Sequence, residues 1–298
     1  FLFAACGMST DAEELTELEM KVAKSPDWRG RLQLLSHIRR IHARRPDLVL
    51  KHGVPLLERR LGAQGWDIRE QVFLAALDLH NLDLAAAQLA EIMRHFPTSM
   101  RARRLEGMLL EAKSRFEDAI VIYDELLKED PTYTAAIKRK ICVLRSQARV
   151  AEAIDALNEY LKTFMTDVEA WQELADLYLS EMQLEHAKFC YEELILHAPQ
   201  NYIYHLKYAE ILYTLGDFVT ARKYFAQSLE LNKDGNLRAL FGLNMCTVAV
   251  ASNPRSKSED KINNTELFLW SRKQIATTYQ EKGNETMHSL AGRALSRE

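Results

Sequence analysis

The sequence predicts an all-α fold, a right-handed superhelical solenoid of stacked helical hairpins, from three observations. Ala85, Ala119, Ala153, Ala187 and Ala221 recur at one step of roughly 34 residues, the period of a helix-turn-helix repeat. Four residues after each alanine stands a large apolar residue, in order Leu89, Tyr123, Leu157, Tyr191 and Phe225. Three of the segments then end at a proline, Pro97, Pro131 or Pro199, where the missing N–H and the restricted preceding residue stop a helix. The alanine column has a physical cause. Where the second helix of a hairpin crosses the first, a small side chain lets the backbones approach, and the large residue one turn later fills the adjoining space.

These columns are those of the tetratricopeptide repeat. The first helix of each unit carries its own tight-packing position, occupied by Phe73, Gly107, Ile141, Ala175 and Ala209. Within Phe116 to Ala136, the residues Ala119, Ile120, Tyr123, Leu126 and Leu127 form one apolar stripe at helical spacing, and Asp130-Pro131 closes it.

Taken in order, Ser9 to Lys24 is acidic, places Leu15, Leu18 and Val22 on one side, and predicts a leading helix closed by Ser25-Pro26-Asp27. Trp28 to Arg44 and Leu48 to Leu61 keep helical periodicity but lack the alanine and proline columns. With the leader they make residues 1–65 an irregular capping segment, because a terminal repeat must turn one polar face to water. Five repeats are expected over residues 66–235: Trp66 to Ser99, Met100 to Tyr133, Thr134 to Asp167, Val168 to Asn201 and Tyr202 to about Gly235. Residues 236–298 are expected to form a second cap and a tail. Asn236 to Ser252 reads as a helix, Asn253 to Ser258 as a turn and polar stretch, and Glu266 to Glu281 as the closing helix, while the tail beyond Gly283 is too polar and rich in small residues to predict an element.

At 298 residues, 47% hydrophobic and 27% charged, the chain has ordinary globular composition. A net charge of -3 gives no global pull toward nucleic acid or anionic lipid. Cys6, Cys142, Cys190 and Cys246 are far apart, so neither a disulfide framework nor a zinc site is expected, and a reducing compartment is. Phe1 to Gly7 is apolar but lacks a basic n-region and is far shorter than a secretory signal. The most apolar internal run, Leu237 to Ala251, contains Arg238 and Asn244 and falls short of a membrane span. Phosphate-cradling glycine loops, H-E-x-x-H and G-x-S-x-G are missing, which leaves an enzyme reading without an anchor and predicts neither metal nor cofactor. The closest histidines, His37 and His42, do not share a helix face well.

Solenoids of this kind bind through the lining formed by positions two, five, nine and twelve of each first helix. The second unit offers Arg101, Arg104, Met108 and Glu111, and the third Ala135, Lys138, Cys142 and Arg145. The fourth offers Glu169, Gln172, Asp176 and Leu179, and the fifth Ile203, Leu206, Glu210 and Tyr213. Arg101, Arg104, Lys138, Arg145, Gln172, Asp176, Leu206 and Tyr213 are therefore the candidate partner-binding residues. The middle of the lining is expected to be basic, its cations either solvating helix faces or receiving an acidic segment. A chaperone-tail clamp needs lysine at position five and asparagine at position nine. Position five holds Glu70, Arg104, Lys138, Gln172 and Leu206, and position nine Leu74, Met108, Cys142, Asp176 and Glu210, so two-point capture of a terminal carboxylate is unsupported. A co-chaperone or adaptor for acidic tails is the alternative reading.

More specific than the columns are the segments RRLEGMLLEAKSRFEDAIVIYDELLKEDPTYTAAIKRK, EAIDALNEYL, EAWQELADLYL, KFCYEELILHAPQNYIY, ARKYFAQSLELN, and RALFGL followed by ASNP. Lying between Ile68 and Pro254, they resemble the tetratricopeptide subunit family of the endoplasmic reticulum membrane protein complex. The resemblance implies a cytosolic scaffold, peripheral to the membrane, in a multi-subunit insertase for tail-anchored and multi-pass membrane proteins. Its partners would be membrane-spanning and cytosolic subunits, and it implies no catalytic residues.

Overall fold

A computed structural model of the chain describes residues 2–25, 27–59, 61–233, 235–253, 264–283 and 285–296. All regular secondary structure among them is helical, and the chain divides into two compact units, Phe1–Arg149 and Val150–Glu298. The first unit holds α1 (Leu2–Lys24), α2 (Trp28–Arg40), α3 (Pro46–Leu57), α4 (Ala63–Asp78), α5 (Leu82–His95), α6 (Met100–Ala112), α7 (Phe116–Glu129) and α8 (Thr134–Ser146). The second holds α9 (Val150–Thr163), α10 (Val168–Ser180), α11 (Leu184–His197), α12 (Tyr202–Thr214), α13 (Phe218–Leu231), α14 (Leu237–Ser252), α15 (Asn264–Lys282) and α16 (Glu285–Ser296). Within each unit every helix packs on its neighbours in sequence. Alternate helices α6 and α8, and α12 and α14, also touch, the stacking of a tetratricopeptide solenoid.

The small-residue column sits where close approach requires it. Ala85 and Ala119 in the first unit, and Ala153, Ala187 and Ala221 in the second, are all 0% exposed. Glycine takes this logic further at two positions. A Cβ on Gly107 would stand 2.6 Å from the Tyr123 ring, and one on Gly242 would likewise run into the Phe225 ring. Each aromatic ring thus lies directly on backbone, and both rings are buried.

The ends of the helices are as regular as their faces. Pro97, Pro131 and Pro199 stand two residues after the ends of α5, α7 and α11. Asn81, Ser99, Asp167, Asn201, Asp217 and Asn236 accept a backbone N–H of the first helical turn, satisfying donors that the helix leaves unpaired. The turn inside each hairpin follows a second column. His80, Ser114, Ala148, Met182 and Gly216 all have positive φ, between 54° and 87°, and recur at the repeat step. At each, the next residue donates back to the carbonyl five before it, as from Asn81 to Ala76 at 2.8 Å and from Gln183 to Tyr178 at 2.8 Å. His42, with φ 52°, closes α2 in the same way.

Three sequence expectations change. The helix expected over Trp28 to Arg44 ends at Arg40, because His42 turns left-handed and Pro46 opens the next helix at its first turn. The leading helix begins before Ser9, within α1. Beyond Gly283 the tail folds as α16, which packs on α15. The expected turn at Asn253 to Ser258 lies, from Pro254 on, outside the described residues.

Candidate partner-binding groove

In the first unit the inner sides of α4, α6 and α8 and the end of α2 enclose a groove of about 810 Å³. Its lining includes Leu74, Met108 and Cys142, one from each of three successive first helices, and arginines and carboxylates stand among them. The cations are not solitary. Arg101 Nη2 meets Glu70 Oε2 at 2.7 Å, and Arg104 faces the same carboxylate at 3.7 Å. Arg44 grips Asp78 with both Nε, at 3.0 Å, and Nη2, at 2.6 Å, while Arg39 lies 3.4 Å from Asp67. The hydrogen bond to Glu70 is the main cause of a raised Arg101 pKa.

The best-connected network ties α6, α7 and α8 together. Tyr123 donates to Glu111, and Arg139 forks onto the same carboxylate. Burial, and next the bond to Glu111, push the Tyr123 phenol above its ordinary range. Burial opposes the charge on Arg139, yet its bond and attraction to Glu111 outweigh that, and its pKa rises.

Lys138, half-buried, and Arg145, exposed, share α8 with Arg139. In the second unit Gln172 and Asp176 are exposed one turn apart on α10. Tyr213 is half-buried, its ring edge-on to Phe218 at 5.2 Å, and Glu210 is gripped by the Arg238 guanidinium. Leu206 departs from the expected lining. It is only 7% exposed, because α12 packs on α11, α13 and α14 and buries seven of its thirteen residues.

Sequence reasoning placed Glu70 and Glu111 in the lining but missed their pairing, Glu70 with Arg101 and Arg104 and Glu111 with Arg139, and missed Asp78 as the partner of Arg44. The usable signal was their spacing. Arg101–Glu70, Arg139–Glu111 and Arg44–Asp78 are separated by 31, 28 and 34 residues, one repeat or up to about two turns less, which is the interval between stacked first helices.

The described residues contain no group of His, Cys, Asp and Glu placed to hold a metal. Burial pushes the thiols of Cys190 and Cys246 up to about 12, far from nucleophilic use. What the groove offers is hydrogen-bonded charge flanking apolar surface, the chemistry of protein recognition.

A family model described as EMC2 TPR-like repeat domain matches residues 82–231. ER membrane protein complex subunit 2 of Xenopus tropicalis is 46% identical over 240 residues, 80% of this chain and 77% of that one. The chain belongs to the family of ER membrane protein complex subunit 2. The Dictyostelium discoideum protein of the same name is 28% identical over 290 residues, 90% of this chain and 89% of that one. TPR repeat protein oca3 of Schizosaccharomyces pombe is 34% identical over 212 residues, 67% and 75% of the two chains. Among solved structures, the C-terminal part of a TPR repeat-containing protein from Cytophaga hutchinsonii superposes with a TM-score of 0.58 at 14% identity, covering 86% of this chain and 97% of that one. That likeness concerns the fold alone.

Proposed function

We propose that the chain is a non-catalytic scaffold subunit of the endoplasmic reticulum membrane protein complex, working on the cytosolic face of the membrane. There it supports insertion of tail-anchored and multi-pass proteins. The observation that carries this reading is the 46% identity over 80% of the chain to a subunit named for that complex. No described helix is long and apolar enough to cross a membrane, and in this reading membrane-spanning partners provide the contact with the bilayer. Residues 66–235 are the working array of five repeats, capped by residues 1–65 and 236–298. Arg101, Arg104, Lys138 and Arg145 receive an acidic cytosolic segment in the first unit, and Gln172, Asp176 and Tyr213 contribute contacts in the second.

Subcellular fractionation tests the location. The chain is expected in the endoplasmic reticulum membrane fraction, protease-accessible from the cytosolic side and released by alkaline carbonate; a carbonate-resistant pellet overturns the peripheral assignment. Joint reversal of Arg101, Arg104 and Lys138 to glutamate tests the groove. Each desolvated pair lost weakens assembly by on the order of 2 kcal/mol or more, read as reduced copurification of membrane-spanning subunits. Unreduced copurification would leave these cations with only their intramolecular roles.

A further inference from the structure

Between the end of α3 and the start of α4 lies a cleft of about 320 Å³ that shares no lining residue with the groove. Among the described residues its charged members are Arg59 and Arg69, with no carboxylate in the lining. Asp67 and Glu70, close by in sequence, line the groove instead, where Arg39 and Arg101 reach them, and the exposed Glu58 lies outside the lining. The two arginines also differ from those of the groove. Arg39, Arg44, Arg101 and Arg139 are each held by a carboxylate, whereas neither Arg59 nor Arg69 meets one among the described residues. Arg69 lies over the Trp66 ring at 5.7 Å and donates to Gln88 at 2.7 Å. Arg59, exposed, lies over the Trp28 ring at 6.0 Å. An indole face attracts a guanidinium without using its N–H groups, so both arginines keep donors for an anion.

Charge alone does not choose the occupant; the wall does. Leu57, Leu61 and Trp66 are half-buried, so apolar surface remains in the cleft for a ligand to cover. A free phosphate or a lipid headgroup would pair with the guanidiniums and leave that wall wet. A leucine-sized side chain beside carboxylates satisfies both, and it fits, since an apolar cavity of about 150 Å³ already holds a benzene ring. We infer that this cleft is a docking site, separate from the groove, for a partner segment in which a leucine-sized side chain stands between two acidic residues. The side chain covers Leu57, Leu61 and Trp66, and the carboxylates take Arg59 and Arg69.

The test uses the full chain and one probe, the tripeptide amide acetyl-Glu-(trifluoroleucine)-Glu, followed by fluorine NMR. The fluorine signal is expected to broaden on adding protein. The unlabelled leucine peptide should displace the probe, and the peptides Glu-Ala-Glu and Lys-Leu-Lys should not. Arg59→Glu should weaken binding about tenfold or more, the order of losing one charge-assisted contact and gaining a repulsion. Arg59→Gln, which only removes the charge, should weaken it less in a protein of unchanged helical content, which covers the case that the reversal disturbs folding. Equal competition by the alanine peptide would reduce the cleft to an anion site and overturn the inference. So would an unbroadened signal with wild-type protein, unchanged affinity in a folded Arg59→Glu protein, or sedimentation of the chain with phosphatidylserine vesicles that the leucine peptide fails to prevent. Loss of probe binding on joint reversal of Arg101, Arg104 and Lys138, with Arg59→Glu without effect, would put the probe in the groove and overturn it too. The copurification experiment judges the groove separately from all of these.

Discussion

The two units are built on the same alanine crossings and left-handed turns, yet their helices are joined by different chemistry. In the first unit arginines reach carboxylates on other helices: Arg39 to Asp67, Arg44 to Asp78, Arg101 to Glu70, Arg103 to Glu125 and Glu129, and Arg139 to Glu111. In the second, Lys162, Lys188 and Lys207 pair three residues away within their own helices, and Arg238 crosses from α14 to Glu210. Buried and half-buried neutral groups join its helices. Asn236 donates to Ser228, Asn264 to the carbonyl of Thr247, and Asn244 to Ser271. Among the residues whose side chains are described, the second unit also exposes more large apolar side chains, Phe189, Leu196, Val248, Leu269 and Trp270 among them. The repeat geometry comes from small residues and turns and tolerates either way of joining helices, which leaves the surface free to differ. An exposed ion pair contributes about 0 to 1 kcal/mol and is screened by salt, whereas a buried neutral bond contributes about 1 kcal/mol and is not.

The largest expected effect tests the shared part. Gly107→Ala in the first unit and Gly242→Ala in the second each drive a methyl group into a buried ring, Tyr123 or Phe225. Each should cost about 1 to 3 kcal/mol, read from the urea midpoint. An unchanged midpoint in either would mean that this unit is not held by the tight crossing, and the likeness of the two would fail there.

Acid should separate the units. His52 on α3 is buried, its Nδ1 has no partner among the described residues, and its pKa is lowered by burial and then by Lys51 and Arg31, with Glu19 pulling the other way. The unfolded chain, with a histidine pKa near about 6.5, therefore binds the proton more readily than the folded one. The stability from neutral His52 is complete above that value and is lost as pH falls through it toward the folded pKa. Protection of the α3 amides, taken relative to their intrinsic exchange rate, should fall as pH drops below about 6.5, and His52→Leu should flatten that dependence. The same acid slope in the variant would assign the sensitivity elsewhere.

Some of this was open to sequence reading, and the boundary is physical. The alanine column was legible because a crossing admits few side chains, and the aromatic column because the space beside it needs filling. The cations of the first helices could be listed from the sequence, but the pairing of Arg101 and Arg104 with Glu70, and of Arg139 with Glu111, could not, since a partner one helix away depends on how the helices stack. Leu206 shows the limit of a position rule: its place in the repeat matches Arg104 and Lys138, yet the apolar surroundings of α12 cover it. The tail beyond Gly283 was too polar and rich in small residues to announce a helix, and its packing on α15 gives it structure.

The left-handed turns were the least legible of all, for His80, Ser114, Ala148, Met182 and Gly216 share a backbone shape and no side-chain chemistry. They also give the smallest and sharpest comparison of the units. A non-glycine residue in this conformation costs about 1 to 2 kcal/mol, and glycine removes that cost while adding disorder to the unfolded chain. Met182 is 74% exposed and Ser114 is exposed, so neither loses packing on substitution. Ser114→Gly in the first unit and Met182→Gly in the second should therefore each raise stability by about 0.5 to 1 kcal/mol, and Gly216→Ala should lower it by a similar amount. The φ values of 58° and 57° at Ser114 and Met182 make the two gains equal if the turn is purely a backbone device. A gain in only one unit would show that the side chain of the other takes part in its turn. The common step of the array would then rest on the alanine crossings alone.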